Sequence, residues 1–170
     1  MRVKLAIGLS SLIATPAIAS DVNLKIEIPR LNVAEYHRPY VAVWLEKPDN
    51  TVAANLAVWY DVKNKNNEGT KWLKDLRQWW RRSGRSLETP IDGLTGATRA
   101  PGTHALGFAG DKAPLAALPP GEYQLVVEAA REVGGRELLR IPLQWPPKAA
   151  ETVTARGSHE LGAISVEIKP

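Results

Sequence analysis

Asp21-Val22-Asn23-Leu24-Lys25-Ile26-Glu27-Ile28-Pro29 alternates polar and apolar side chains at every step and then stops at a proline. Successive side chains on an extended chain point to opposite faces, so Val22, Leu24, Ile26 and Ile28 make one apolar face of a half-buried strand. The same alternation recurs after Pro39, with Val41, Val43 and Leu45 on one face and Tyr40, Ala42 and Trp44 on the other. Pro48 and Asp49-Asn50-Thr51 then predict a hairpin-like reversal, because Asp and Asn tolerate turn geometry. A third strand follows on Leu56, Val58, Tyr60 and Val62. Farther on, Pro119-Pro120-Gly121 leads into Tyr123, Leu125 and Val127, and Gly134-Gly135 separates that strand from Leu139, Ile141 and Leu143. This is a hairpin pattern. A last strand on Ile164, Val166 and Ile168 pairs with Val153 and Ala155 across Gly157-Ser158.

About seven short strands without the spacing of βαβ units predict an all-β domain, an antiparallel β-sandwich of immunoglobulin-like type. One region breaks the period. Between Thr70 and Ser83 the apolar residues Trp72, Leu73, Leu76, Trp79 and Trp80 recur at helical spacing, with Thr70 as a cap and Gly84 as a stop. That predicts an amphipathic helix of about three and a half turns. From Gly84 to Pro101 the chain is an aperiodic loop rich in Gly and Pro, so helix and loop together form an insertion at about 66–103. Loops on a rigid β scaffold are where function concentrates.

The first 19 residues have a different character. Arg2 and Lys4 precede an apolar run from Leu5 to Ala14, followed by Pro16 and Ala17-Ile18-Ala19, the build of a secretory signal peptide. The run is shorter than the roughly 20 apolar residues a membrane-spanning helix needs. The expectation is a periplasmic chain, soluble after cleavage, with one domain over residues 20–170. The absence of cysteine excludes a lipoprotein start, a disulfide framework and a thiolate metal site. The formal charge of +4 falls to +2 once Arg2 and Lys4 are removed, too weak a balance to argue for a nucleic-acid partner.

Within the loop, Asp92-Gly93-Leu94-Thr95-Gly96-Ala97-Thr98 is the stretch that carries chemistry. A hydroxyl that must enter another enzyme's active site needs an accessible chain and small neighbours, which Gly96 and Ala97 provide. Thr98 has no base of its own in this stretch, so the modifying enzyme would have to activate it. The pattern Asp-x-x-Ser/Thr-Gly-Ala-Thr resembles the flavinylation motif of exported redox proteins, in which a flavin transferase splits FAD and joins FMN to the last threonine. That resemblance implies covalent FMN as a phosphoester on Thr98, with Asp92, Thr95, Gly96 and Ala97 as the recognition sequence.

The likeness is broader. Arg38-Pro39-Tyr40-Val41-Ala42-Val43-Trp44-Leu45-Glu46, the helix at Lys71-Trp72-Leu73, Gly96 through Gly102, Pro120-Gly121-Glu122-Tyr123 and Glu128 through Gly135 resemble a family of periplasmic proteins of unknown function. Its members are often encoded beside flavin transferases or PepSY-type membrane proteins. The resemblance implies extracytosolic electron transfer: a membrane electron donor of PepSY type as partner, and a separate extracytosolic acceptor. An electron-transfer protein is a better expectation than an enzyme with its own substrate, and no metal is implied.

Trp79 and Trp80 are candidates to stack on the flavin, and Arg81, Arg82, Arg85 and Arg99 to offset its negative charge. The alternative for the pair is the helix's core face, and for the arginines its solvated end, near the C-terminus where cations are favoured. His104, six residues past Thr98, is a weaker candidate neighbour. His37, His104 and His159 lack metal-ligand spacing. Glu128, Arg131 and Glu132 predict a salt-bridge network. The competing function is a cofactor-free module in which exposed Trp and Tyr contact carbohydrate or peptide.

Overall fold

The computed structural model describes residues 20–170, so the signal peptide expected at 1–19 lies outside the described residues. The described chain is mostly β, with strands β1 (Asp21–Ile28), β2 (Tyr40–Glu46), β3 (Val52–Tyr60), β4 (Thr95–Ala97), β5 (Gly102–Ala109), β6 (Gly121–Ala130), β7 (Arg136–Trp145), β8 (Glu151–Arg156) and β9 (Ala163–Lys169). They form two sheets, ordered β5-β1-β9-β8 and β4-β3-β2-β6-β7. The pairings are antiparallel except that of β3 with β4.

The alternation on β1 places Val22, Leu24, Ile26 and Ile28 in the apolar core between the sheets, where they meet Val41, Val43, Leu125 and Ile141 of the second sheet. Both hairpins expected from the sequence are present, with Val127 opposite Leu139 and Val153 opposite Val166. A second apolar cluster lies on the other face of the second sheet, built from Ala42, Trp44, Val58, Tyr60 and Val126 beneath Leu73, Leu76 and Trp79. Strand β2 is therefore buried on both faces.

Strand β3 departs from simple alternation. Val43 is opposite Ala57, but Trp44 is opposite Asn55, so Leu56 is an extra residue in the ladder. Such a bulge reverses the facing of everything beyond it. Leu56 consequently joins Ala57 and Trp59 in the core between the sheets, while Val58 and Tyr60 turn to the second cluster. Val62, expected on the same strand, lies past its end and is exposed.

The expected continuous helix over Thr70–Ser83 is broken. A 3-10 segment, Lys65–Asp75, gives way at Leu76 to the short helix α1, Arg77–Arg82. The cause is Glu128 of β6, whose carboxylate accepts the backbone N–H groups of Gln78 (3.0 and 3.1 Å) and Trp79 (2.8 Å). Those amides would otherwise extend the preceding turn, so the helix restarts on a side-chain cap. Thr70 does not cap; its hydroxyl donates to the Asn67 carbonyl. Gly84 follows because the Trp79 ring lies where its Cβ would be, 2.5 Å away. The expected loop does end at Pro101, where β5 follows from Gly102, but it contains the short strand β4.

Candidate functional site

The Asp92–Thr98 stretch is a turn followed by an edge strand. Asp92 is exposed and Gly93 has φ +73°, a conformation that favours glycine. The turn is closed by Thr95, whose N–H donates to the Ile91 carbonyl (2.9 Å) and whose hydroxyl accepts the Ile91 N–H (2.8 Å). Beyond it, Thr95, Gly96 and Ala97 pair in parallel with Val58, Trp59 and Tyr60. The Val58 N–H donates to the Leu94 carbonyl (2.9 Å) and the Thr98 N–H to the Tyr60 carbonyl (3.2 Å), so the ladder's last bond fixes the backbone at Thr98 itself. The Thr98 side chain is half-buried. Its hydroxyl reaches solvent and makes no hydrogen bond among the described residues.

Gly96 is required by its neighbour. A Cβ there would lie 3.2 Å from Cδ1 of Trp59, tighter than ordinary van der Waals contact. The same indole gathers two more side chains. The Arg99 guanidinium lies 5.1 Å from its centroid, a cation–π arrangement, and the His104 ring meets it edge-on at 6.0 Å. His104 Nε2 is 2.7 Å from the Ala100 carbonyl, to which it donates.

β4 and β5 are the edge strands of their sheets on the same side of the molecule, and between them lies a cleft of about 510 Å³. Leu56, Trp59, Leu106, Phe108 and Pro114 supply its apolar walls, and Gly96 and Arg99 belong to its lining. Arg99 and Lys112 are its charged residues, with no carboxylate among the lining side chains. Pockets for small organic ligands have this size, but this cleft is open and exposes more polar than apolar surface. Its two cations suit an anionic group such as a phosphate.

Of the expected site residues, Thr95, Gly96 and Arg99 line the cleft, Asp92, Ala97 and Thr98 lie on the same stretch without lining it, and His104 approaches through Trp59. Trp79 and Trp80 are placed elsewhere. Trp79 is 1% exposed in the second cluster, with its indole N–H donating to Asn55 (2.9 Å). Trp80 packs half-buried against the same cluster, tilted 50° to Trp79, and borders a separate hollow with Lys74, Arg77, Arg81 and Arg136. Arg82 pairs with the buried Glu46 (3.4 Å), and Arg85 is exposed. Of the expected network, Glu128 pairs with Arg136, Arg131 with Glu160, and Glu132 approaches His37 at 3.6 Å.

Sequence reasoning missed Trp59 and the β5 side of the cleft. The available sign was a large aromatic out of phase with the apolar face assigned to its strand. Glu46, Glu128 and Glu160 are buried, which their charge alone does not suggest. Among the described residues no cluster of metal-ligating side chains occurs, and no helix is long and apolar enough to cross a membrane.

Fold and site together define a two-sheet, mostly β domain with a ligand-sized cleft at one open edge. The chain belongs to DUF2271, a family described as predicted periplasmic protein, whose model matches residues 21–163. The protein is periplasmic. No curated protein and no solved structure matches it.

Proposed function

We propose that the protein is a periplasmic flavoprotein that carries FMN covalently on Thr98 and passes electrons between a membrane partner and an extracytosolic acceptor. One observation carries the reading: the motif's final threonine directly follows an edge strand whose Thr95 and Gly96, together with Arg99, line a cleft whose only charged lining residues are cationic. The immunoglobulin-like reading of the scaffold is supported by two sheets sharing one apolar core.

Attachment would form a P–O bond between the Thr98 oxygen and the FMN-side phosphorus of FAD, with AMP as the leaving group and the hydroxyl proton passing to the transferase. Asp92, exposed on its turn, is accessible to that enzyme. The bound flavin would supply reversible one- and two-electron chemistry, while the chain supplies position and electrostatics. Trp59 and Phe108 of the cleft lining would meet the ring, and Arg99 and Lys112 would offset negative charge on the phosphodiester or the reduced ring.

The test is co-expression with a flavin transferase and export to the periplasm. The mature protein should gain the mass of one FMN less water, keep flavin fluorescence after denaturation, and yield a labelled peptide containing Thr98. A colourless, unmodified product alongside a flavinylated control protein would overturn the reading and favour a cofactor-free module binding carbohydrate or peptide.

A further inference from the structure

Two hollows meet where α1 faces the β6–β7 turn. One, of about 420 Å³, is lined by Lys74, Arg77, Trp80, Arg81 and Arg136. The other, of about 350 Å³, shares Arg77 and Arg136 and adds Arg131 and Asp75, the one carboxylate among the lining residues of the pair. Lys74, Arg77 and Arg81 are exposed, and none forms an ion pair among the described residues.

A helix end that had only to be solvated would explain exposed cations, but not how the two arginines of the β6–β7 turn are held. Glu160, 4% exposed, accepts Nε (2.8 Å) and Nη2 (3.1 Å) of Arg131, whose side chain is 6% exposed. The remaining Nη1 of Arg131 is buried without a partner. Glu128, 0% exposed, accepts Nε of Arg136 (2.7 Å) and leaves its two η nitrogens without hydrogen bonds among the described residues. Burying a carboxylate is costly, and a surface cation gains little from it. Besides accepting the backbone amides of Gln78, Trp79 and Gly135, the two glutamates fix the direction of two guanidinium groups, in a place where three further cations gather beside the half-buried indole of Trp80.

We propose that the joined hollows are a binding site for a small polyanion, a molecule with two or more phosphate or carboxylate groups. Guanidinium groups match the oxygens of both anions with paired, parallel donors. Arg136 presents the two η nitrogens that Glu128 leaves free, and the exposed Arg77, Arg81 and Lys74 flank it, while Arg131 sits behind them against Tyr36 and adds positive charge. The site is separate from the flavin reading, since none of its residues lines the β4–β5 cleft.

The experiment uses the mature protein made without a transferase, so that flavin plays no part. Inorganic pyrophosphate is titrated in one arm and citrate in the other, at ionic strength held constant with sodium chloride, reading calorimetric heat and the arginine Nε–H resonances. One saturable site is expected, weakened at least tenfold in Arg77→Ala/Arg81→Ala. That variant removes two exposed side chains and should melt with the wild type; Arg77→Gln alone serves if it does not fold. Binding of pyrophosphate alone assigns phosphate ligands, and binding of citrate alone assigns carboxylates. No saturable binding in either arm, or unchanged affinity in the variants, would overturn the proposal.

Discussion

Replacing Glu128 tests whether one buried carboxylate holds the helical layer on the second sheet. Its side chain accepts the amides of Gln78 and Trp79 and the Nε of Arg136, and it has no exposure to water. In Glu128→Ala the Trp79 amide loses its partner, and an unmet buried donor costs about 1–3 kcal/mol. The Arg136 guanidinium also loses its counter-charge, but its side chain is 36% exposed, so water takes over and that loss adds little. About 1–3 kcal/mol is therefore the expected total. For a chain of about 150 residues, each kcal/mol shifts the melting temperature by about 2–4 °C, giving a drop of roughly 2–12 °C. Glu128→Gln keeps one carbonyl acceptor at the same place and should lose about half as much. The assay is thermal unfolding by far-UV circular dichroism, with near-UV dichroism reporting the packing of Trp79 and Trp44. A drop below about 2 °C in Glu128→Ala, with the near-UV spectrum unchanged, would refute the capping argument.

Thr98→Ala removes a solvent-reaching hydroxyl without a protein partner, so in flavin-free protein it should alter stability by within about 0.5 kcal/mol while abolishing covalent flavin. Equilibrium urea unfolding and in-gel fluorescence check the two halves. Gly96→Val forces β4 away from Trp59 and should cost about 1–3 kcal/mol, the usual range for overpacking, read by the same unfolding curves and by a shift in tryptophan emission. Glu137 gives a pH dependence. Burial raises its pKa, but the backbone amides of Ser158, Leu161, His159 and Glu160 together hold it below the ordinary 4.5. The folded-state pKa is therefore depressed, and the contribution is fully present above the unfolded value and lost as the pH falls through the folded one. Unfolding free energy should decline below about pH 4.5 more steeply in wild type than in Glu137→Gln; parallel declines would contradict it.

The sequence by itself determined the strands whose burial is one-sided or whose turns are chemically marked. β1, the β6–β7 hairpin and the β8–β9 hairpin carry period-two patterns, with Pro29 ending the first and Gly at the two reversals, and local chemistry is enough to define them. The Asp92–Thr98 stretch, proposed above as the acceptor, was singled out by its residue types alone. Tertiary structure decided the rest. The bulge at Leu56 inverts the facing of β3 through its pairing with β2, and no residue type announces it. The helix breaks at Leu76 because Glu128, 50 residues away in the chain, takes the amide of Gln78. β4 exists as a strand only because β3 offers it a free edge, and without a second cross-chain pattern Thr95-Gly96-Ala97 reads as loop. Trp59, Arg99, His104 and the cleft beside them come together across separate strands, where alternation along any one strand carries no information. Periodicity records which face of an element is apolar; which elements meet is set by long-range pairing and packing.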